Sequence, residues 1–286
     1  MNATPPHRVP DGPDPLGQTL TYVFAVTGAP LPADLPAATA GHEEGGPLRG
    51  LRAGSLWLVA QDVPASAFTE AALAERLNSP EELERCARAH HRGVQAAARQ
   101  GPVVPLPMAT LYRSDANAVE AVTARAPALG VLLDRLRDRT EWAVKVHAAQ
   151  PAATLDGPPS AGEGGPVGGR AYLTRASARR RTRHQSHEQA LAEAREVDSG
   201  LRRHAVAATR HRPQSEQLSG STTPQLLNAA YLVDDSDRDD FARALDHAAA
   251  VGRHPHVEIT VSGPWIPYSF ARSDQDRADT AREVIA

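Results

Sequence analysis

The sequence predicts an α/β (α+β) fold: two ferredoxin-like α/β domains joined by a Pro/Gly-rich linker, with a long helix opening the second. Three observations predict it. Short β-branched and aromatic runs are interleaved with stretches of helical periodicity in both halves of the chain. Residues 151–170 between those halves are saturated with Pro, Gly and small side chains, and such a segment buries too little apolar surface to offset its ordering entropy. The chain has 286 residues, 41% of them hydrophobic, which is enough for two cores of ordinary size. The expected organisation is a disordered leader (1–19), an N-terminal domain (20–150), the linker (151–170), a C-terminal domain (171–271) and a polar tail (272–286).

Leu20 to Val26 has the composition and length of a buried strand, Gly28 to Gly50 reads as a loop, and Ser55 to Val63 is a second strand ended by Pro64. Ser79-Pro80-Glu81-Glu82 supplies an N-cap, a proline at the first helical position and a capping-box glutamate. The helix then runs to Gln100 and stops at Gly101-Pro102, with Leu83, Cys86, Ala87, His90, Val94 and Ala97 as its buried stripe. Val103 to Tyr112 is extended, but Pro105 and Pro107 remove two ladder donors, so an edge or irregular strand is expected.

Asn117 starts another helix, which Pro127 restarts before Leu129, Leu132, Leu133 and Leu136. Glu141 to His147 alternates as a strand and is expected to close the first domain, a β-β-α-β-α-β sandwich with its helices on one sheet face. Past the linker, Ala171 to Thr174 reads as a short strand, followed by a polar helix to about Arg212 along the seam Leu191, Ala194, Val197, Leu201 and Ala205. Leu226 to Val233 is a strand, Asp237 to Val251 a helix, and Val257 to Val261 a half-exposed strand that ends at Gly263-Pro264-Trp265.

Net charge is −3, which exerts no global pull toward nucleic acid or anionic membrane. The single Cys86 rules out an intramolecular disulfide and fits a reducing cytoplasm. No stretch approaches the ~20 apolar residues of a membrane span. The glycines of 151–170 are not followed by Gly-Lys-Ser/Thr, so a phosphate loop is not expected.

His90-His91 diverge by about 100° on a helix, and His184 with His187 lacks a supporting Cys or carboxylate, so no metal site is expected. Asp235, Asp237 and Asp239 have calcium-loop spacing, but Asp240 stands where the loop needs Gly, and helix capping accounts for these acids. Arg175 to Arg183 (RASARRRTR) is the one dense basic run. It lacks interleaved aromatics, which favours a solvated helix face or an acidic protein partner over nucleic acid. No nucleophile elbow or His-Glu-x-x-His pair is present, so no catalytic residue and no cofactor are expected.

The aromatics are only 4% of the chain, and several gather in Val257-Glu258-Ile259-Thr260-Val261-Ser262-Gly263-Pro264-Trp265-Ile266-Pro267-Tyr268-Ser269-Phe270. This stretch resembles the closing motif of the gas vesicle protein GvpL/GvpF family, a strand followed by Gly-Pro-Trp-x-Pro-Tyr-Ser-Phe. Ile266 stands where that family commonly has Pro. Tyr22 to Val26 is similar to the family's first strand, and His90 with Val104 to Tyr112 to its helix and Pro-rich strand. There Pro107-Met108-Ala109-Thr110 replaces the family's frequent Arg-Phe-Gly-Thr. Leu136, Glu141, Trp142, Val144 and Lys145 resemble its Leu…Glu-Trp-x-Val-Lys element. The resemblance covers roughly residues 20 to 271.

It implies a cytoplasmic, non-enzymatic accessory or minor structural protein of gas vesicles, with two ferredoxin-like domains. The implied partners are the hydrophobic wall protein and other gas vesicle accessory proteins, with no nucleic acid and no membrane. Gly263, Pro264, Trp265, Pro267, Tyr268, Ser269 and Phe270 form the candidate interface. For most of these side chains the favoured reading is that they fold back and lock the tail onto the domain core, the commoner role for aromatics. The alternatives are a small-ligand or regulatory binding module on paired ferredoxin-like domains and, more distantly, a hydrolase or transferase with dispersed catalytic groups.

Overall fold

The computed structural model describes residues 19–32, 41–149, 169–212 and 223–272. The expected leader, linker and tail fall almost wholly outside these residues. Two compact units result, with their boundary at Arg137/Asp138 and the second ending at Phe270.

In the first unit, β1 (Thr19–Thr27), β2 (Arg49–Ala53), β3 (Leu56–Pro64) and β4 (Val103–Pro105) form an antiparallel sheet in the order β2-β3-β1-β4. The short β5 (Leu111–Tyr112) also pairs with β1. Strand β1 is buried continuously from Thr21 to Thr27, as a strand covered on both faces must be. Helix α1 (Glu70–Asn78), which the sequence reading did not anticipate, leads directly into α2 (Pro80–Ala98). Ser79 stands at the predicted N-cap but makes no side-chain cap bond, because it also ends α1. Its carbonyl accepts the first intrahelical bond of α2, from Leu83 N–H at 2.8 Å.

Helix α2 lies over the β1 face that carries Tyr22 and Phe24. Helix α3 (Asp115–Ala124) reaches the opposite face, where Asp115 accepts from Thr21 Oγ1 at 2.8 Å and from both terminal nitrogens of Arg49. Helices therefore flank both faces of this sheet, not one. The α3 cap is Ser114, whose Oγ accepts from Asn117 N–H, so the helix starts before the expected Asn117. Leu129, Leu132, Leu133 and Leu136 of α4 (Ala126–Leu136) are buried as their spacing predicts.

The second unit corrects the expected domain boundary. β6 (Arg139–Ala148), expected to close the first domain, pairs with β8 (Gln225–Asp234) on one side and β9 (Val257–Trp265) on the other. Both ladders are long and antiparallel, and Val144 and Val146 belong to this unit's core. With β7 (Ala207–Arg210) pairing to β8, the order is β7-β8-β6-β9.

Helix α5 (Gly169–Arg202) occupies the expected strand Ala171–Thr174, and it stops ten residues short of Arg212 because Ala207–Arg210 pairs with Ala229–Leu232 as β7. A chain rich in Ala and Arg accepts either state, and the available sheet edge decides. Helix α6 (Arg238–Ala249) contributes Phe241, Leu245 and Ala248 to the core, opposite Ala190, Ala194, Val197 and Leu201 of α5. Asp198 of α5, 3% exposed, accepts from Tyr231 Oη (2.6 Å), Arg202 Nε (3.0 Å) and Arg210 (2.5 Å), which ties α5 to β7 and β8.

Gly93 on α2 sets how closely that helix approaches β1. A Cβ there would lie 2.4 Å from the Phe24 ring, so Gly93→Ala must push helix from sheet or rotate a buried aromatic. We expect about 1–3 kcal/mol of destabilisation, measured as a lowered urea midpoint with near-native far-UV circular dichroism.

Candidate functional site

The C-terminal motif is built on an edge strand. Val257, Ile259 and Val261 of β9 face the core, while Glu258, Thr260 and Ser262 are exposed. A bulge then interrupts the ladder. Ala143 pairs with Ser262 and Glu141 with Trp265, so Gly263 and Pro264 together oppose Trp142. The extra residue reverses the inward-outward phase. Under strict alternation Trp265 would follow Val257, Ile259 and Val261 inward; instead it shares the outer face with Glu141. Trp265 is 46% exposed.

Gly263 is required at this bulge. Its φ is +139°, and an added Cβ would sit 3.0 Å from the Glu141 carbonyl oxygen and 3.2 Å from the Trp142 ring. The Gly263-Pro264 peptide is cis.

Beyond Trp265 the chain turns back through a short 3-10 helix, Tyr268–Phe270, opened by Tyr268 N–H donating to the Ile266 carbonyl at 2.8 Å. Ser269 then donates twice to the Glu141 carboxylate, from its N–H at 2.8 Å and its hydroxyl at 2.6 Å. His211 Nε2 lies 3.1 Å from the same hydroxyl oxygen, and since that hydroxyl's proton goes to Glu141, the ring nitrogen is the donor. Burial pushes the Glu141 carboxyl up from its ordinary value, and the two Ser269 bonds pull it back in part. Pro267 and Phe270 are buried, and Ile266, Tyr268 and Ser269 are half-buried.

The seven sequence-predicted residues thus divide. Trp265 and Pro264 face solvent, whereas Pro267, Ser269 and Phe270 hold the turn in place. Glu141 and Trp142, quoted in the sequence as a separate element, prove to be the other half of the same site. The signal available for them was the one acidic residue of an alternating strand, Glu141, opposite the apolar face that carries Trp142, Val144 and Val146.

A second cluster stabilises the Pro-rich segment of the first unit. Ala109 N–H donates to Tyr22 Oη at 2.8 Å, Tyr22 Oη–H to His90 Nδ1 at 3.0 Å, and His90 Nε2–H to the Leu106 carbonyl at 3.1 Å. This donor chain is complete with a neutral imidazole. The His42 ring lies tilted against the Tyr22 ring, 4.6 Å between centroids, and meets Phe68 edge-on at 5.0 Å. Burial lowers His42 and His90 to about 4 each and pushes the Tyr22 phenol up. Cys86 is buried and its thiol is raised by that burial, the opposite of nucleophile activation.

Among the described residues no group of three or more His, Cys, Asp and Glu side chains could hold a metal ion. Asp235, Asp237 and Asp239 fall in a 3-10 turn and the first turn of α6, with Asp235 paired to Arg238 and Asp240 to Arg243. An open groove of about 640 Å³ between α5 and α6 is lined by Arg203, His204, Arg243, His247 and Arg253. Two of its guanidiniums are already paired, Arg243 with Asp240 and Arg253 with Glu196. No helix among the described residues is long and apolar enough to cross a membrane.

The model of the family "Gas vesicle synthesis protein GvpL/GvpF" matches residues 20–272. Gas vesicle protein L of Streptomyces sp. (strain CB03234) is 38% identical over 266 residues, covering 93% of this chain and 97% of that protein. The fold is similar to the crystal structure of the gas vesicle protein GvpF from Anabaena sp. PCC7120, with a TM-score of 0.63 and 14% identity over 90% of this chain and all of that one. GvpF from Microcystis aeruginosa gives a TM-score of 0.58 and 15% identity over 89% of this chain and 99% of its own.

Two consequences of this geometry are measurable. Gly263→Ala forces a Cβ against β6 at a positive φ and should cost about 1–3 kcal/mol, read as a lower urea midpoint with faster proteolysis near the C-terminal turn. His42 and His90 have folded pKa values depressed to about 4 from 6.5, so between those pH values the unfolded chain binds more protons. Their contribution is complete above pH 6.5 and is lost as pH falls through 4, at about 3 kcal/mol per histidine. Urea titrations from pH 7.5 to 4.5 should show this loss, with a shallower slope in His90→Gln.

Proposed function

The chain belongs to the gas vesicle synthesis protein GvpL/GvpF family, and from that premise we propose that it acts in gas vesicle assembly by binding the hydrophobic wall protein. The observation that carries this reading is Trp265, a large aromatic turned outward by a bulge at the end of an edge strand. A wall subunit that must not aggregate before assembly needs an apolar or strand-pairing surface to rest on. The outer edge of β9 has no strand paired to it among the described residues, and Trp265 supplies the aromatic anchor.

Other gas vesicle accessory proteins are further partners in this reading. The protein works in the cytoplasm at the growing vesicle, without catalysis. Its second unit, a βαββαβ succession in the order β7-β8-β6-β9, we read as ferredoxin-like, and the first unit as a variant with the same strand order.

The reading is tested by co-purifying untagged wall protein with tagged full-length chain, wild type against Trp265→Ser. The indole is 46% exposed, so the substitution should lower the urea midpoint only modestly and leave the far-UV circular dichroism of the folded protein unchanged. Retention should fall roughly tenfold or more if the indole is an anchor. Equal retention by both proteins would move the contact away from the motif, and no retention by either would end the wall-protein reading.

A further inference from the structure

Helix α5 buries its seam only from Ala190 onward, where Ala190, Ala194, Val197 and Leu201 meet the core. Traced toward the N-terminus at the same three- and four-residue steps, that seam continues through His187, Arg183 and then Arg179 and Arg180. Every residue from 177 to 189 is exposed. The C-terminal half of α5 is thus an ordinary packed helix, while these residues project as an arm with no buried face. A helix polar all round needs ion pairs along its own surface or a partner to cover it.

The charges on this arm oppose its own helix. Arg179 with Arg183 is a like-charge pair at four-residue spacing, and Arg180 and Arg181 add to the crowding of positive charge. Arg49, Arg76, Arg85, Arg202 and Arg210 each meet a carboxylate. Arg179, Arg180, Arg181 and Arg183 meet none among the described residues. Arg183 Nε reaches only the Arg179 carbonyl, at 3.4 Å, and the ion pair present on the arm is His184 with Glu188 at 3.6 Å.

We propose that this arm docks an acidic helix of a partner protein, one carrying Asp or Glu at four-residue spacing. Arg179, Arg183 and His187 repeat about every 6 Å along the axis, the interval at which carboxylates recur on such a helix. Covering the row with carboxylates removes the like-charge repulsion and supplies the ion pairs the arm lacks. A nucleic acid would want stacking platforms, and residues 177–189 include no aromatic. The net charge of −3 adds no general attraction for phosphate.

The experiment measures binding of the full-length protein to fluorescent alanine-based helical peptides with Glu, Gln or Lys at every fourth position, and to oligouridylate, across salt concentrations. The Glu peptide should bind in a salt-sensitive manner, and the Gln peptide more weakly. Arg179→Glu/Arg183→Glu should weaken the Glu peptide on the order of tenfold and bind the Lys peptide in its place. Arg179→Gln/Arg183→Gln should weaken the first without gaining the second. Circular dichroism should show unchanged helix content in both variants, since the side chains are exposed. Equal affinity for Glu and Gln peptides, indifference to the charge reversal, or tighter binding of oligouridylate would each overturn the proposal.

Discussion

The second unit depends on how one carboxylate is satisfied. Glu141 lies on the outer face of β6, a central strand, and is 7% exposed. A buried carboxylate without donors is expensive enough that a chain must either supply them or leave the group protonated. Among the described residues no cation pairs with Glu141. Both of its oxygens are met by Ser269, a residue 128 positions later in the chain. That requirement fixes the route from the end of β9 to Ser269: the strand must bulge, leave the sheet on the outer face and turn tightly enough to bring a backbone N–H and a hydroxyl to one carboxylate. Gly263 supplies the backbone freedom, and Phe270 closes the turn by burial.

The same device recurs wherever this chain needs to hold an irregular segment. Gln61 on β3 accepts from His42 N–H and donates to the carbonyls of His42 and Gly46, so one buried amide shapes the 41–46 loop. His90 and Tyr22 hold the Pro-rich turn at Leu106 and Ala109. Asp198 fastens α5 to the sheet through Arg210 and Tyr231, with Arg202 of its own helix as a third donor. In a chain with so few aromatics, aliphatic and alanine packing is permissive about detail. A polar group that must find its partner in the interior is not, because the unsatisfied alternative is costly. Uniqueness is carried by these few side chains, and aliphatic burial carries the bulk of the stability.

Sequence patterning read the elements better than their assembly. The runs Leu20–Val26 and Leu226–Val233 and the leucine ladder of α4 are legible because periodicity reports burial directly. Strand β6 was legible as a strand but not as a member of the second sheet, since alternation shows which face is buried and says nothing of which strands pair. Helix α1 escaped notice because Glu70–Asn78 carries a weak stripe, and the end of α5 because Ala and Arg suit a helix as well as a short edge strand. The Ser79 cap shows the limit of local rules, since the right residue stands at the right position but serves two helices at once. In the candidate site, both sequence elements were visible and their meeting was not. A bond between residues 128 positions apart leaves no local trace.

The bulge at Gly263-Pro264 bears on why one short motif is able to serve both as clasp and as surface. A period-two strand offers each side chain a fixed face, so Trp265 in unbroken register would join Ile259 and Val261 against the core. There it would compete with Trp142 and Phe241, whose rings already lie 5.8 Å apart. Insertion of one residue removes that conflict and turns the indole outward, where the strand ends and the return to Glu141 begins. The clasp then holds the turn that follows Trp265, so the indole sits on a backbone fixed from both sides, by the β6 ladder before it and by Ser269 after it. An aromatic held that way loses little freedom on meeting a partner, which is what an anchor residue requires. Core anchoring and solvent exposure, which read as rivals in the sequence, fall here to successive residues of one segment, Trp265 exposed and Phe270 buried.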